Sequence, residues 1–201
     1  MSKTMLNLVM ATCENGGIGI GGDLPWSLRK EMAFFTKITK ETADQAKKNM
    51  VIMGRKTWTS IPEKFRPLPD RVNVVLSTSM SEAPPGALLA SSLREAVNLA
   101  AADIENIFII GGISVCKEAV ESQWPCKVYL TRVRKEFECD TFLDIPFEDV
   151  EQFRRVANPE GIPSDEQTDI CRKTKENVSF HFETYEKSSE YNYIIDLKVD
   201  R

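Results

Sequence analysis

No stretch of the 201-residue chain is apolar for the roughly 18 residues that a membrane-spanning helix needs. Histidine is almost absent, with His181 alone, so a histidine-rich metal site is excluded. The five cysteines (Cys13, Cys116, Cys126, Cys139 and Cys171) are odd in number and scattered. None falls in a CxxC or Cys/His pair of zinc spacing, which points to free thiols in a reducing compartment and to no metal. The N-terminus lacks an apolar h-region and a cleavage site, so a cytoplasmic location is expected. Positive charge is not in excess: the net charge is −4 and the pI near 5.3. Such a chain has no general field for nucleic acid, and any anion must be held by local patches. GxGxxG and Walker A sequences are also missing, which argues against a Rossmann dehydrogenase and a P-loop enzyme.

What remains is an ordinary globular composition, 42% hydrophobic and 28% charged, of a length that suits one core. Strand-length apolar runs recur at Met5–Ala11, Met50–Met53, Val72–Leu76, Ile107–Ile110, Lys127–Arg132 and Val178–Tyr185. Several are continuous rather than alternating, the pattern of strands buried on both faces. Helical stretches are expected at about 28–38, 57–61, 93–102 and 113–122. Alternation of the two predicts an α/β fold: a central, mostly parallel sheet flanked by about four helices. The last two runs have no helix between them and predict an antiparallel C-terminal edge. The stretch 158–176, with Pro159, Gly161, Pro163 and many charges, reads as an exposed loop. Residues after Lys187 read as an extension, with strand-like alternation over Tyr191–Val199. Residues 1–187 are therefore expected as the domain and 188–201 as a C-terminal extension.

One carboxylate stands out. Leu28, Met32 and Phe35 recur at spacings of four and three and define an apolar helical stripe. Glu31, three after Leu28 and four before Phe35, lies on that stripe. A buried, unpaired carboxyl tends to keep its proton, the property a general acid needs. Two strand-to-helix turns, Gly54 before Arg55-Lys56-Thr57 and Gly111-Gly112 before Ser114-Val115, suit phosphates. Glycine permits close approach there and free helix N–H groups face the anion. Both are expected at the carboxyl edge of a parallel sheet. Five glycines between Gly16 and Gly22 make a loop that leads into Glu31, with the character of a lid.

These residues resemble dihydrofolate reductase of eukaryotic type. The resemblance is carried by Gly17-Ile18-Gly19, Asp23-Leu24-Pro25-Trp26, Glu31 through Phe35, Val51 through Trp58 and Ser60 through Lys64. Arg66-Pro67-Leu68, Arg71, Ile110-Gly111-Gly112, Asp140-Thr141-Phe142 and Phe182 through Lys187 continue it in the family's order. It implies hydride transfer from NADPH to dihydrofolate, giving tetrahydrofolate for one-carbon metabolism and thymidylate synthesis. It also implies a stand-alone monomer, sensitive to antifolates such as methotrexate, with no membrane and no obligatory nucleic-acid partner.

By that resemblance Glu31 would bind the pterin and assist protonation of its N5, with Trp26 and Thr141 orienting the network. Val9, Met32, Phe35, Ser60, Ile61, Leu68 and Ile110 would line the substrate pocket, and Arg71 would pair with a substrate carboxylate. Ala11, Ile18, Gly19, Gly22 and Asp23 would flank the nicotinamide side of the cofactor. Gly54, Arg55, Lys56, Thr57, Ser77, Thr78, Ser79 and Ser91 would hold its adenosine side. Gly111, Gly112, Ser114, Val115 and Cys116 would hold the pyrophosphate and its surroundings, with a cis Gly111-Gly112 bond.

The chain departs from relatives of vertebrate type at several of these places. Thr78 and Ser91 stand where basic residues are usual, which bears on NADPH over NADH preference. Cys116 replaces an aromatic residue and is expected as a partly exposed thiol. Met32 replaces a phenylalanine, and Phe65 a polar residue. Two other readings compete: a same-fold reductase of a riboflavin-pathway pyrimidine, and a non-catalytic partner-binding homologue. Glu31 and Arg71 argue against the first, and the intact Gly-Gly turn against the second.

Overall fold

Met50, Val51, Ile52 and Met53 are wholly shielded from solvent on both sides, which only a central strand covered on two faces achieves. They form the middle of β3 (Lys48–Gly54) in the computed structural model, which describes residues 4–145, 147 and 152–187. Around it run β1 (Leu6–Cys13), β4 (Arg71–Leu76), β5 (Leu88–Ala90), β6 (Ile104–Ile109) and β7 (Cys126–Val133). With β10 (Gln167–Ile170) and β11 (Asn177–Lys187) at one side, the spatial order is β10-β11-β7-β1-β6-β3-β4-β5. Strands β7 through β5 in that order are parallel, as in Leu8 opposite Ile109 and Ile52 opposite Val74. The edge is antiparallel: β11 (Asn177–Lys187) pairs with β7, β10 (Gln167–Ile170) and β9 (Phe153–Val156). A second small sheet joins β2 (Gly17–Gly19) to β8 (Thr141–Phe142).

Among the described residues four α-helices cover the sheet: α1 (Arg29–Lys40), α2 (Arg55–Ser60), α3 (Leu93–Asn98) and α4 (Ile113–Glu121). On one face, Leu93, Ala96, Val115 and Ala119 of α3 and α4 pack on Leu6, Leu8, Met50 and Ile52. On the other, Phe34 of α1 and Trp58 of α2 belong to clusters built on Val133, Phe180, Val51 and Met53. The mostly parallel sheet, the antiparallel edge and the four helices match the expectation. Tyr191–Val199 lies outside the described residues.

Two polar side chains from elsewhere in the chain fix α1. Asp169 Oδ2 of β10 accepts from the Lys30 N–H in the first turn at 2.9 Å. Asn49 of β3, fully buried, donates to the carbonyls of Thr39 and Glu41 at the far end. Helix termini leave such groups unpaired unless a partner is supplied. The expectation of a loop over 158–176 is therefore corrected: β10 lies inside it. This edge strand buries no apolar side chain and leaves Ile170 58% exposed, so it carries no hydrophobic signal. The short strands β2, β5, β8 and β9 likewise fall outside the expected elements, and α3 ends earlier, at Asn98.

Candidate active site

A cleft of about 1200 Å³ runs along the carboxyl ends of the parallel strands. Every residue named above as a site candidate lines it except Trp26. At one end α1 contributes Glu31, Met32 and Phe35, facing Val9, Ile61, Leu68, Arg71 and Ile110, with Ser60 beside them. Along the middle lie Ala11, Ile18, Gly19, Gly22 and Asp23 on one side, and Gly111, Gly112, Ser114 and Val115 on the other. At the far end are Gly54, Arg55, Lys56, Thr57, Ser77, Thr78, Ser79 and Ser91. Met10, Thr36, Ser92, Ile113 and Glu118 also line the cleft and were not singled out from sequence.

The two glycine turns press on each other. The Gly54 N–H donates to the Gly111 carbonyl at 2.8 Å. Gly111 has φ +129°, and a Cβ there would stand 3.1 Å from Thr57 Oγ1. Any other residue would be strained in backbone and tight in space, so glycine is required. The Gly111–Gly112 bond is cis, as expected.

Glu31 is 6% exposed, and burial raises its pKa from 4.5 to about 7. The stripe expected to bury it is corrected. Leu28 precedes the helix with extended backbone (φ −113°, ψ 122°), so it does not share the helical period. The buried positions of α1 are Glu31, Phe34 and Thr39, whereas Met32 is 46% exposed into the cleft. Glu31 thus faces inward between the cleft and the Phe34 cluster, and burial alone accounts for its shift.

Trp26, 1% exposed, packs on Phe137 with ring centroids 5.7 Å apart. Its Nε1 and the Thr131 hydroxyl are the two buried side-chain polar atoms without a hydrogen-bond partner among the described residues. Thr131 stands opposite Ala11 and Phe182, on the sheet face that α1 covers. Native structures rarely leave buried polar atoms unpaired, so each such atom marks a place where a partner belongs. Thr141 behaves differently: it is exposed at the cleft rim and its hydroxyl donates to Asp140 at 2.8 Å. The assignment of Thr141 to the Glu31–Trp26 network is therefore corrected, and Thr131 is the residue that sequence reasoning missed. An isolated threonine in a strand gives no signal of its own. Only the pairing with Ala11 locates it.

Arg71 is 8% exposed; its Nη1 donates to Thr39 Oγ1 at 2.7 Å and its Nε to the Pro69 carbonyl at 3.0 Å. Burial lowers its pKa from the ordinary arginine value, yet guanidinium remains charged. No carboxylate pairs with it at salt-bridge distance among the described residues; Asp70, itself bonded to Lys40 at 2.7 Å, favours its charge only at longer range, and the cation lines the cleft. Asp23 is engaged at the end of the glycine loop: its Oδ2 pairs with Lys173 at 2.7 Å, and this contact holds its carboxyl below the usual range. Gly21 N–H donates to Asp140 Oδ2 at 2.7 Å, closing the same loop onto the segment before β8. Cys116 corrects a further expectation. Its side chain is 1% exposed in the core, and burial pushes the thiol up to about 12, so it is inert rather than reactive.

A mostly parallel α/β sheet with two glycine turns at its carboxyl edge and one inward carboxyl at the end of a long cleft has the layout of an α/β enzyme that takes a phosphate-bearing ligand. The profile of the family described as Dihydrofolate reductase matches residues 5–187. Dihydrofolate reductase of Heliothis virescens is 42% identical over 193 residues, covering 93% of this chain and all of that protein. The Sus scrofa enzyme of that name is 42% identical over 191 residues, 92% of this chain and 98% of the other. The solved structure of Schistosoma mansoni dihydrofolate reductase superposes with a TM-score of 0.77 at 37% identity, covering 93% of this chain and all of that one. The chain belongs to the dihydrofolate reductase family.

Proposed function

We propose that this enzyme reduces dihydrofolate to tetrahydrofolate with NADPH, and so supports one-carbon metabolism and thymidylate synthesis. The observation that carries the reading is the presence in one cleft of Glu31, a carboxyl whose pKa burial raises to about 7, and Arg71, a buried cation without a salt-bridge partner among the described residues. A substrate with a protonatable ring and a carboxylate tail meets both. A pyrimidine without such a tail leaves Arg71 unused.

The cleft suits the cofactor on this chain's own geometry. Gly54 and Gly111 leave the space that side chains would fill, and Arg55 and Lys56 bring positive charge to the phosphate-sized turn. Gly111, Gly112, Ser114 and Val115 would hold the pyrophosphate, and Ser77, Thr78, Ser79 and Ser91 the adenosine side. NADPH, when bound, supplies the hydride.

The protein supplies the proton. Glu31, which burial keeps partly protonated near pH 7, hydrogen-bonds the pterin edge and delivers a proton toward N5. The Trp26 indole N–H and the Thr131 hydroxyl have hydrogen-bonding capacity left to orient that exchange. Val9, Phe35, Ile61, Leu68 and Ile110 exclude water from the ring, which keeps the carboxyl pKa high. The loop from Gly16 to Asp23 closes the cleft. Antifolates such as methotrexate occupy the substrate end. The active form is a cytoplasmic monomer, with residues 1–187 as the catalytic domain and 188–201 as an extension.

Loss of the reduced nicotinamide's near-ultraviolet absorbance, with dihydrofolate present and with or without methotrexate, tests this directly. Methotrexate-sensitive oxidation is expected. Binding of NADPH without turnover on dihydrofolate would overturn the substrate assignment.

A further inference from the structure

The glycine loop rests on a pair of thiols that the reaction does not use. Cys13, at the end of β1, is 3% exposed; Cys139, just before β8, is partly exposed. Their sulfurs lie 3.8 Å apart. Gly17 sits directly on them: a Cβ there would stand 2.2 Å from Cys139 Sγ and 3.0 Å from Cys13 Sγ. The surroundings are ordered around this contact. Cys13 Sγ donates to Asn15 Oδ1 at 2.9 Å, and Asn15 Nδ2 donates to the Phe137 carbonyl at 2.9 Å. The chain segments that carry the two thiols are thus already tied together by side-chain and backbone hydrogen bonds.

We propose that Cys13 and Cys139 form a dithiol modification site, which small disulfides oxidise to an intramolecular bond that clamps the glycine loop. The sulfurs need to approach by under about 2 Å to reach bonding distance, a change within reach of side-chain rotation. The more exposed Cys139 reacts first. Its thiolate attacks one sulfur of the small disulfide, a protein–small-molecule S–S bond forms, and one small thiol leaves after taking a proton. Cys13, giving its proton to solvent, then attacks Cys139 Sγ and expels the second small thiol. The pair loses two electrons and two protons; the small disulfide gains both and becomes two thiols.

Burial and the adjacent Cys13 thiol hold Cys139 high, at about 11. Exchange is therefore slow at neutral pH and accelerates about tenfold per pH unit below that value, because only the thiolate attacks. The new bond joins β1 to the segment that carries β8, across Gly17. Ile18 and Gly19, the next residues, line the cleft. Fixing their base restricts opening and closing of the loop, so the linked enzyme turns over several-fold more slowly. Formation of the bond stands apart from the proposed function; only its effect on turnover rests on it.

The test uses the full chain with oxidised glutathione at mildly alkaline pH, followed by alkylation and mass analysis. The expected product has lost two hydrogens, yields a peptide linking Cys13 to Cys139, and reverts with dithiothreitol. Cys13→Ser stops at the Cys139–glutathione adduct, and Cys139→Ser gives no link. A stable glutathione adduct on the unsubstituted chain, or a link through another cysteine, overturns the site. Protease protection of residues 14–23, greater in the linked form, reports the clamp without reference to catalysis. Unchanged protection and turnover in a fully linked sample overturn the clamp. A reduced protein inactive on dihydrofolate from the outset overturns the proposed function and leaves the thiol chemistry to be judged by mass alone.

Discussion

Arg71 of β4 and Thr39 of α1 are joined by a 2.7 Å hydrogen bond from the guanidinium Nη1 to the threonine hydroxyl, which itself donates to the Phe35 carbonyl at 2.7 Å. The cation at the Glu31 end of the cleft is thereby aimed by the same helix that carries Glu31 and Phe35. The bond to Thr39 leaves the second terminal nitrogen of the guanidinium, and part of the first, to meet a carboxylate.

Arg71→Leu is expected to weaken binding of a glutamate-bearing antifolate by about 2–5 kcal/mol, since it leaves the ligand carboxylate without its partner. Calorimetric titration checks this. An inhibitor lacking the carboxylate tail is expected to bind both forms alike, and equal losses for the two would mean that Arg71 acts through folding instead.

Glu31→Gln is expected to lower turnover on dihydrofolate at neutral pH by about 100-fold or more, the usual scale of a lost general acid. Cofactor binding, measured by fluorescence quenching, should persist. Stability moves the other way. With its native pKa raised from 4.5 to about 7, Glu31 contributes its full stability below about pH 4.5 and loses it as pH rises through 7. The glutamine form avoids that loss, and urea melts should show it gaining up to about 3 kcal/mol on the native chain across this window.

Thr131→Val removes a buried hydroxyl that has no hydrogen-bond partner among the described residues, at nearly constant volume. Stability should hold or rise by about 1 kcal/mol, because no hydrogen bond is lost and a desolvated polar atom is gone. Turnover should fall by roughly three- to tenfold if the hydroxyl supports the Glu31 proton exchange. A fall in thermal midpoint with unchanged kinetics would make Thr131 a purely structural residue.

Glu183, on the far side of the sheet from α1, accepts hydrogen bonds from Arg132, Tyr185 and His181. Burial alone would raise its pKa; these bonds outweigh it and bring the value down to about 2. Its contribution is present above about pH 4.5 and lost as pH falls through 2. Glu183→Gln is therefore expected to cost up to about 3 kcal/mol at neutral pH and to flatten acid unfolding between those values. Acid titration followed by near-ultraviolet circular dichroism reads the difference.

The legible parts of the site share one property: their chemistry is local in the chain. Gly54 with Arg55-Lys56 and Gly111-Gly112 with Ser114 each combine a strand end, a turn and a helix start within a few residues, and the structure places both at the cleft. Glu31 was legible for a partly different reason than its pattern suggested, since Met32 opens into the cleft and Leu28, though buried, lies ahead of the helix. Thr131 was hidden because a hydroxyl in a strand matters only through what lies opposite it. The exposed strand β10 was hidden because pairing along an edge needs no apolar side chain.

Composition and periodicity by themselves determined an α/β sheet with its parallel centre, four helices and two turns fit for anions. The physical reason is that continuous apolar runs must be covered on both faces and helical runs must cover them. Tertiary structure alone decided how charge and polarity meet. It brought Asp169 to the start of α1, set Arg71 on Thr39, left Thr131 and Trp26 with unused hydrogen-bonding capacity, and laid Cys139 against Cys13. Those pairings join residues between 32 and 139 positions apart. Their energies depend on burial and distance, which exist only once the sheet has closed its register.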